Sequence, residues 1–161
     1  MTLGGLAASL AAAASVGTPP CPGQSLTGSF SVVRGSAGAG NIVYALRLRN
    51  RSRAACFVSG IPALTLLDAH GRAQATHARA ATPGRLTAVL VRLAPDRSAK
   101  LTARFSPDVT GPGEPVGPTC EPKSYKLRVV PNGGGAVVVP IEPPTPICEH
   151  GALALSAFGA G

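Results

Sequence analysis

The chain has no tryptophan, one methionine, and only two tyrosines and four phenylalanines among 161 residues. So few rings leave little surface for stacking on nucleic-acid bases, so no nucleic-acid partner is expected. Acidic residues are also scarce, seven against 15 Lys and Arg. They are scattered mostly in turns and give no support for a paired-carboxylate catalytic site. The one long apolar run, from Leu3 to Ala14, is too short and too rich in Gly and Ala to span a membrane. An integral membrane protein is therefore not expected, and no strong helical stripe is visible anywhere. What the chain does have is 20 glycines and 16 prolines punctuating short apolar segments.

Those segments alternate with period two. Leu26, Gly28, Phe30 and Val32 alternate with polar or small residues, and Ile42, Tyr44, Leu46 and Leu48 alternate against Val43, Ala45, Arg47 and Arg49. Leu64 to Asp68 precedes a turn at Ala69-His70-Gly71. Leu86 to Leu93 leads to a turn at Pro95-Asp96. Leu101, Ala103 and Phe105 face one way while Lys100, Thr102 and Arg104 face the other. A Pro/Gly loop from Pro107 to Pro118 follows, then strands around Leu127, Val138 and Leu153. Pro143-Pro144-Thr145-Pro146 reads as a stiff crossover before the last strand. The pattern predicts an all-β, immunoglobulin-like antiparallel β-sandwich with Greek-key connections.

Four cysteines sharpen this expectation. Cys21 and Cys56 have a midpoint of (21 + 56)/2 = 38.5, inside the turn Ser36 to Gly40. Cys120 and Cys148 have a midpoint of (120 + 148)/2 = 134, inside Asn132 to Gly135. Residues equidistant from a hairpin turn lie opposite one another, so the pairing Cys21–Cys56 and Cys120–Cys148 is expected. Two disulfides in turn place the protein in an oxidising, extracytoplasmic compartment. Residues 1–20 agree, reading as a signal peptide with small residues Ala12-Ala13-Ala14 at the cleavage position. No Lys or Arg precedes its apolar run, which an atypical signal or a start upstream of Met1 would explain. Residues 21–161 are then a single domain, and Thr18-Pro19-Pro20 before Cys21 is not the context of a lipid-modified cysteine.

From Cys21 onward the chain resembles the actinobacterial secreted family known as domain of unknown function 4232. The resemblance rests on Cys21, Gly38-Ala39-Gly40, Leu46-Arg47-Leu48-Arg49-Asn50 and Cys56. It continues through Gly60-Ile61-Pro62, Leu67-Asp68-Ala69-His70-Gly71, Leu93-Ala94-Pro95, Cys120-Glu121-Pro122 and Leu127-Arg128-Val129 to Cys148-Glu149-His150-Gly151. Asp96 stands where a glycine is usual. The resemblance implies an exported β-sandwich at the cell envelope and carries over no catalytic residue.

Catalytic and cofactor signatures are absent from the sequence. Gly23-Gln24-Ser25-Leu26-Thr27-Gly28 misses the nucleophile elbow by one residue and opens a strand. Gly38-Ala39-Gly40 lacks the third glycine and the helix of a dinucleotide fingerprint. Cys148-Glu149-His150 has no second Cys/His pair at ligand spacing, so His70, His77 and His150 read as surface or loop residues, with no metal and no cofactor expected. The chain is not expected to be an enzyme.

Charge is the remaining feature. The net charge is +8. Arg47, Arg49, Arg51 and Arg53 recur at alternate positions, and Arg47 and Arg49 share the outward face of one strand. Should the strand carrying Lys100 and Arg104 pair beside it, the shared face becomes a basic patch. The expected function is a non-catalytic binding module for anionic envelope components, whether a cell-wall polymer, lipid headgroups or an acidic protein. The alternative is a structural or protein-interaction domain gripping its partner through a sheet edge or the loop 107–118.

Overall fold

A computed structural model describes residues 17–84, 89–117 and 119–161. The body of the expected leader, the start of the Leu86 to Leu93 segment and the Pro118 end of the loop lie outside the described residues. The strands are β1 (Leu26–Val32), β2 (Ile42–Asn50), β3 (Cys56–Ser59), β4 (Ala63–Leu67), β5 (His77–Ala80) and β6 (Leu90–Leu93). They continue with β7 (Ser98–Phe105), β8 (Ser124–Val130), β9 (Val137–Thr145), β10 (Ala152–Leu155) and β11 (Gly159–Ala160). The all-β class is as expected. A nine-stranded, nearly closed sheet follows the order β4-β8-β9-β1-β2-β7-β10-β5, with β11 also on β7, and β3 and β6 form a separate two-stranded sheet.

Period-two patterning explains what the sheet encloses. Phe30 of β1, Tyr44, Leu46 and Leu48 of β2, and Leu101, Ala103 and Phe105 of β7 all point into one core with Leu127, Val139, Ile141, Leu153 and Leu155. Tyr44 sits at its centre, with its ring centroid 5.2 Å from Phe30 and 5.1 Å from Phe105. Its hydroxyl donates to the Pro143 carbonyl at 2.9 Å, so the one polar atom brought inside is satisfied. Burial raises the Tyr44 pKa above its ordinary value.

Both disulfides form as the midpoints indicate. Cys21–Cys56 and Cys120–Cys148 have Cα separations of 4.9 and 5.4 Å. Partners in the β1–β2 ladder sum to 76 (26 + 50), and the cysteines to 77 (21 + 56), so the bridge continues the ladder's register. Yet neither cysteine of this pair lies on the β1–β2 ladder. Cys56 opens β3 against β6, and Pro20 bridges Phe57 in parallel, so the staple ties the large sheet to the small one. In β8–β9 the partner sum moves from 266 (126 + 140) to 269 (124 + 145) across a bulge, and the second pair falls between at 268 (120 + 148).

One segment differs from expectation. Pro143 and Pro144 belong to β9 instead of a crossover. They lie beyond Ser31–Glu142, the last pair β9 makes with β1, and beside the β8 bulge. No ladder N–H is required of them there, which is where proline fits a strand.

Candidate functional site

The outward face of β1, β2 and β7 is built by the residues that alternate with the core. Four rows cross it. Thr27, Arg49 and Ser98 form the first, and Ser29, Arg47 and Lys100 the second. Ser31, Ala45 and Thr102 form the third. The fourth runs from Val43 through Arg104 and Ala154 to Arg79 on β5. The strand carrying Lys100 and Arg104 therefore does pair beside β2, with Lys100 directly opposite Arg47. All four cations of these rows on β2 and β7, namely Arg47, Arg49, Lys100 and Arg104, are exposed.

Arg51 and Arg53 are exposed but lie beyond the end of β2. Asn50 ends β2 and is fully buried. Its amide donates to the carbonyls of Ala54 (2.8 Å) and Leu93 (3.0 Å), while its oxygen accepts from the Ser52 N–H (2.9 Å) and hydroxyl (2.8 Å). This Asx turn ends β2, and the Arg51 N–H makes the last bond in that register, to the Ser25 carbonyl at 2.8 Å. Arg79 was not evident in the sequence, because β5 joins the sheet through a parallel pairing with β10 that no local pattern announces. Two acids border the face. Asp96 meets Arg49 at 3.0 Å from a turn in which its backbone takes φ 64°, and Glu142 lies beside Ser31 on β9. Arg47, Lys100, Arg104 and Arg79 form no ion pair among the described residues.

A second cluster lies at another part of the molecule, beside the Cys120–Cys148 disulfide. Glu114, Glu121 and His150 come from three separate segments and bring one ligand atom each within 4.8 Å of the others. The Glu114 side chain is 1% exposed. It accepts the Gly111 N–H at 2.6 Å and the His150 N–H at 2.5 Å, and the Glu149 N–H also reaches it. Glu149 and His150 can present successive N–H groups because both adopt left-handed backbone angles, φ 56° and 57°. Burial pushes the Glu114 carboxyl up, and the N–H donors reverse this and hold it down at about 2. His150 has its Nε2 2.8 Å from the Pro112 carbonyl and its Nδ1 3.5 Å from Glu121 Oε1. The carbonyl contact, opposed by partial burial and helped by the two carboxylates, raises its pKa.

The other two histidines stay apart from this cluster. His70 lies in the turn after β4, where Asp68 accepts its N–H at 2.8 Å, and His77 is exposed on β5. All four cysteines are oxidised, and among the described residues no histidine ring bonds a hydroxyl. No helix of the described residues is long and apolar enough to cross a membrane.

Comparison with known proteins gives one match. The family model described as domain of unknown function matches residues 21–159, from the first cysteine to the first residue of β11. No curated protein and no solved structure matches the chain.

Proposed function

From the premise that the chain belongs to the DUF4232 family, whose residues 21–159 are matched here, we propose that it is a non-catalytic module that binds anionic material through the β1–β2–β7 face. The observation that carries this reading is the Arg47–Lys100 cross-strand pair. Like charges directly opposite one another in a sheet are destabilising, and an exposed anion bridging them removes that cost. Arg104 and Arg79 extend the positive field, and Ser29 and Thr102 supply hydroxyl donors between the charges. With no aromatic side chain in the four rows, the face suits a phosphate- or carboxylate-bearing partner better than neutral sugar rings.

The partner is an anionic wall polymer, lipid headgroup layer or acidic protein of an actinobacterial envelope. The protein acts there as a secreted domain after removal of residues 1–20 as a signal peptide. Two disulfides support the oxidising compartment. Co-sedimentation of the oxidised domain with isolated envelope material across a salt series tests this. Binding should fall steeply with rising salt. Salt-insensitive binding, or none, would reject it.

We read the architecture as an immunoglobulin-like Greek key in which β1 serves both sheets. It pairs antiparallel with β2 along its full length and parallel with β9 at Phe30 and Ser31. The strands β5-β10-β7-β2 and β9-β8-β4 are then two sheets joined through one shared strand, which accounts for near-closure.

A second reading is a protein-interaction domain working through the loop that follows β7 or through a sheet edge. Val109 and Val116 are 51% and 97% exposed in that loop, apolar groups that a partner would cover. Deletion of the loop tip abolishing capture of a partner at high salt would favour it.

A further inference from the structure

We propose that Glu114, Glu121 and His150 form a binding site for a divalent first-row transition-metal ion, with Zn²⁺ the best match. The argument starts from the imidazole. A carbonyl oxygen can only accept, so the contact to Pro112 at 2.8 Å fixes the proton on Nε2. In the neutral ring the lone pair is then on Nδ1. That atom faces Glu121 Oε1 at 3.5 Å and Glu114 Oε1 at 3.9 Å. Two carboxylate oxygens and the imidazole lone pair thus converge on one point, the arrangement a bound cation requires.

The distances suit a metal ion. At low pH a proton on Nδ1 pairs with these carboxylates at 3.5 and 3.9 Å, and a metal ion would compete with that proton for the same lone pair. A tetrahedral ion with bonds of about 2.0–2.1 Å holds its ligand atoms about 3.3–3.4 Å apart. The 3.5 Å separation needs almost no movement to reach that, and the half-exposed His150 ring, which can turn toward the held Glu114, is the group able to close the 3.9 Å one. Glu114 is held in place by its backbone N–H donors, and each carboxylate oxygen retains a lone pair beyond the one they occupy. A histidine that gives its remote N–H to a backbone carbonyl is also the usual outer support of a metal-bound imidazole.

The site is pre-assembled. The Cys120–Cys148 bridge ties the residue before Glu121 to the residue two before His150. A cleft of about 290 Å³ lined by Pro115, Thr119, Cys120, Glu121, Pro122 and Lys123 opens beside it, leaving room for water or a ligand atom on the ion. One nitrogen and two oxygens favour Zn²⁺ and its first-row neighbours over Ca²⁺, which takes oxygen ligands.

Calorimetric titration of the oxidised, metal-free protein with zinc chloride tests the site. One equivalent should bind, His150→Gln and Glu121→Gln should each weaken binding at least tenfold, and His70→Asn/His77→Asn should not. Zinc should also displace the ¹⁵N resonance of His150 Nδ1, a readout that needs no variant to fold. Absence of one-equivalent binding, loss of binding in the His70/His77 double variant alone, or an unmoved His150 ring would overturn the proposal.

Discussion

Lys100 lies directly opposite Arg47 across the β2–β7 ladder, two cations as cross-strand neighbours on an exposed face. A fold selected only for stability would place an opposite charge at one of these positions, since opposed charges across a ladder contribute and like charges cost up to about 1 kcal/mol. Lys100→Glu should therefore stabilise the domain by about 0.2–1 kcal/mol in denaturant unfolding while weakening anion binding. Unchanged or lower stability would show that the pair carries no strain.

Asn50 stitches the end of β2 to both the 51–55 turn and β6. Asn50→Ala would leave the buried Leu93 carbonyl without this donor and dissolve the Ser52 turn, for a loss of about 1–3 kcal/mol. The same change should release Ser52 to Ala54 without moving Arg47, visible as local amide shifts in an NMR spectrum. A cost below about 0.5 kcal/mol would mean water replaces the amide freely.

The two disulfides close loops of 35 and 28 residues in sequence separation. In the chain-entropy account each is worth about 3.5–4 kcal/mol. Cys21→Ala/Cys56→Ala should lower stability by that order and loosen the β3–β6 sheet first, because that bridge is the covalent tie between it and the β1 side, leaving only hydrogen bonds there. Hydrogen exchange at Val58 checks the order of loss. Uniform protection across both sheets would contradict it.

Asp68 gives a pH dependence of defined sign. The Arg72 N–H foremost, opposed by partial burial and aided by the His70 N–H and the nearby Arg72 charge, holds its carboxyl below the ordinary 3.8. A group depressed in the folded state contributes stability that is whole above its ordinary value and lost as pH falls through the folded one. The turn after β4 should thus loosen only in acid below about pH 4. A carboxyl ¹³C titration of Asp68 should give a midpoint under 3.8, and a midpoint above it would remove the effect.

Several of these relationships were legible in the sequence. Alternation from Ile42 to Arg49 and from Ala99 to Phe105 assigns core and outer face, because one face of each strand is buried. The cysteine midpoints work because loops near the turns preserve the hairpin register to within two residues. The pairing of β5 with β10 and of β9 with β1 is parallel and long-range, so no local periodicity encodes it. Glu114, Glu121 and His150 were equally hidden. They are separated by 121 − 114 = 7 and 150 − 121 = 29 positions, and loop closure and a disulfide join them instead of a helical or strand period. The Cys120-Glu121 and Cys148-Glu149-His150 fragments were the one available signal, read correctly as disulfide halves and not as neighbours of a buried carboxylate.

The central claim is that the β1–β2–β7 face, and not the net charge of +8 alone, binds anions. The most direct measurement compares two charge-reversed proteins of equal net charge, using long-chain polyphosphate as the probe at several salt concentrations. Arg47→Glu/Lys100→Glu alters the face, and Lys126→Glu/Arg128→Glu alters β8, which β9 separates from β1 in the sheet order. The account predicts at least a tenfold loss of affinity and a shallower salt dependence for the first pair, with a much smaller change for the second. Equal losses in both would contradict it.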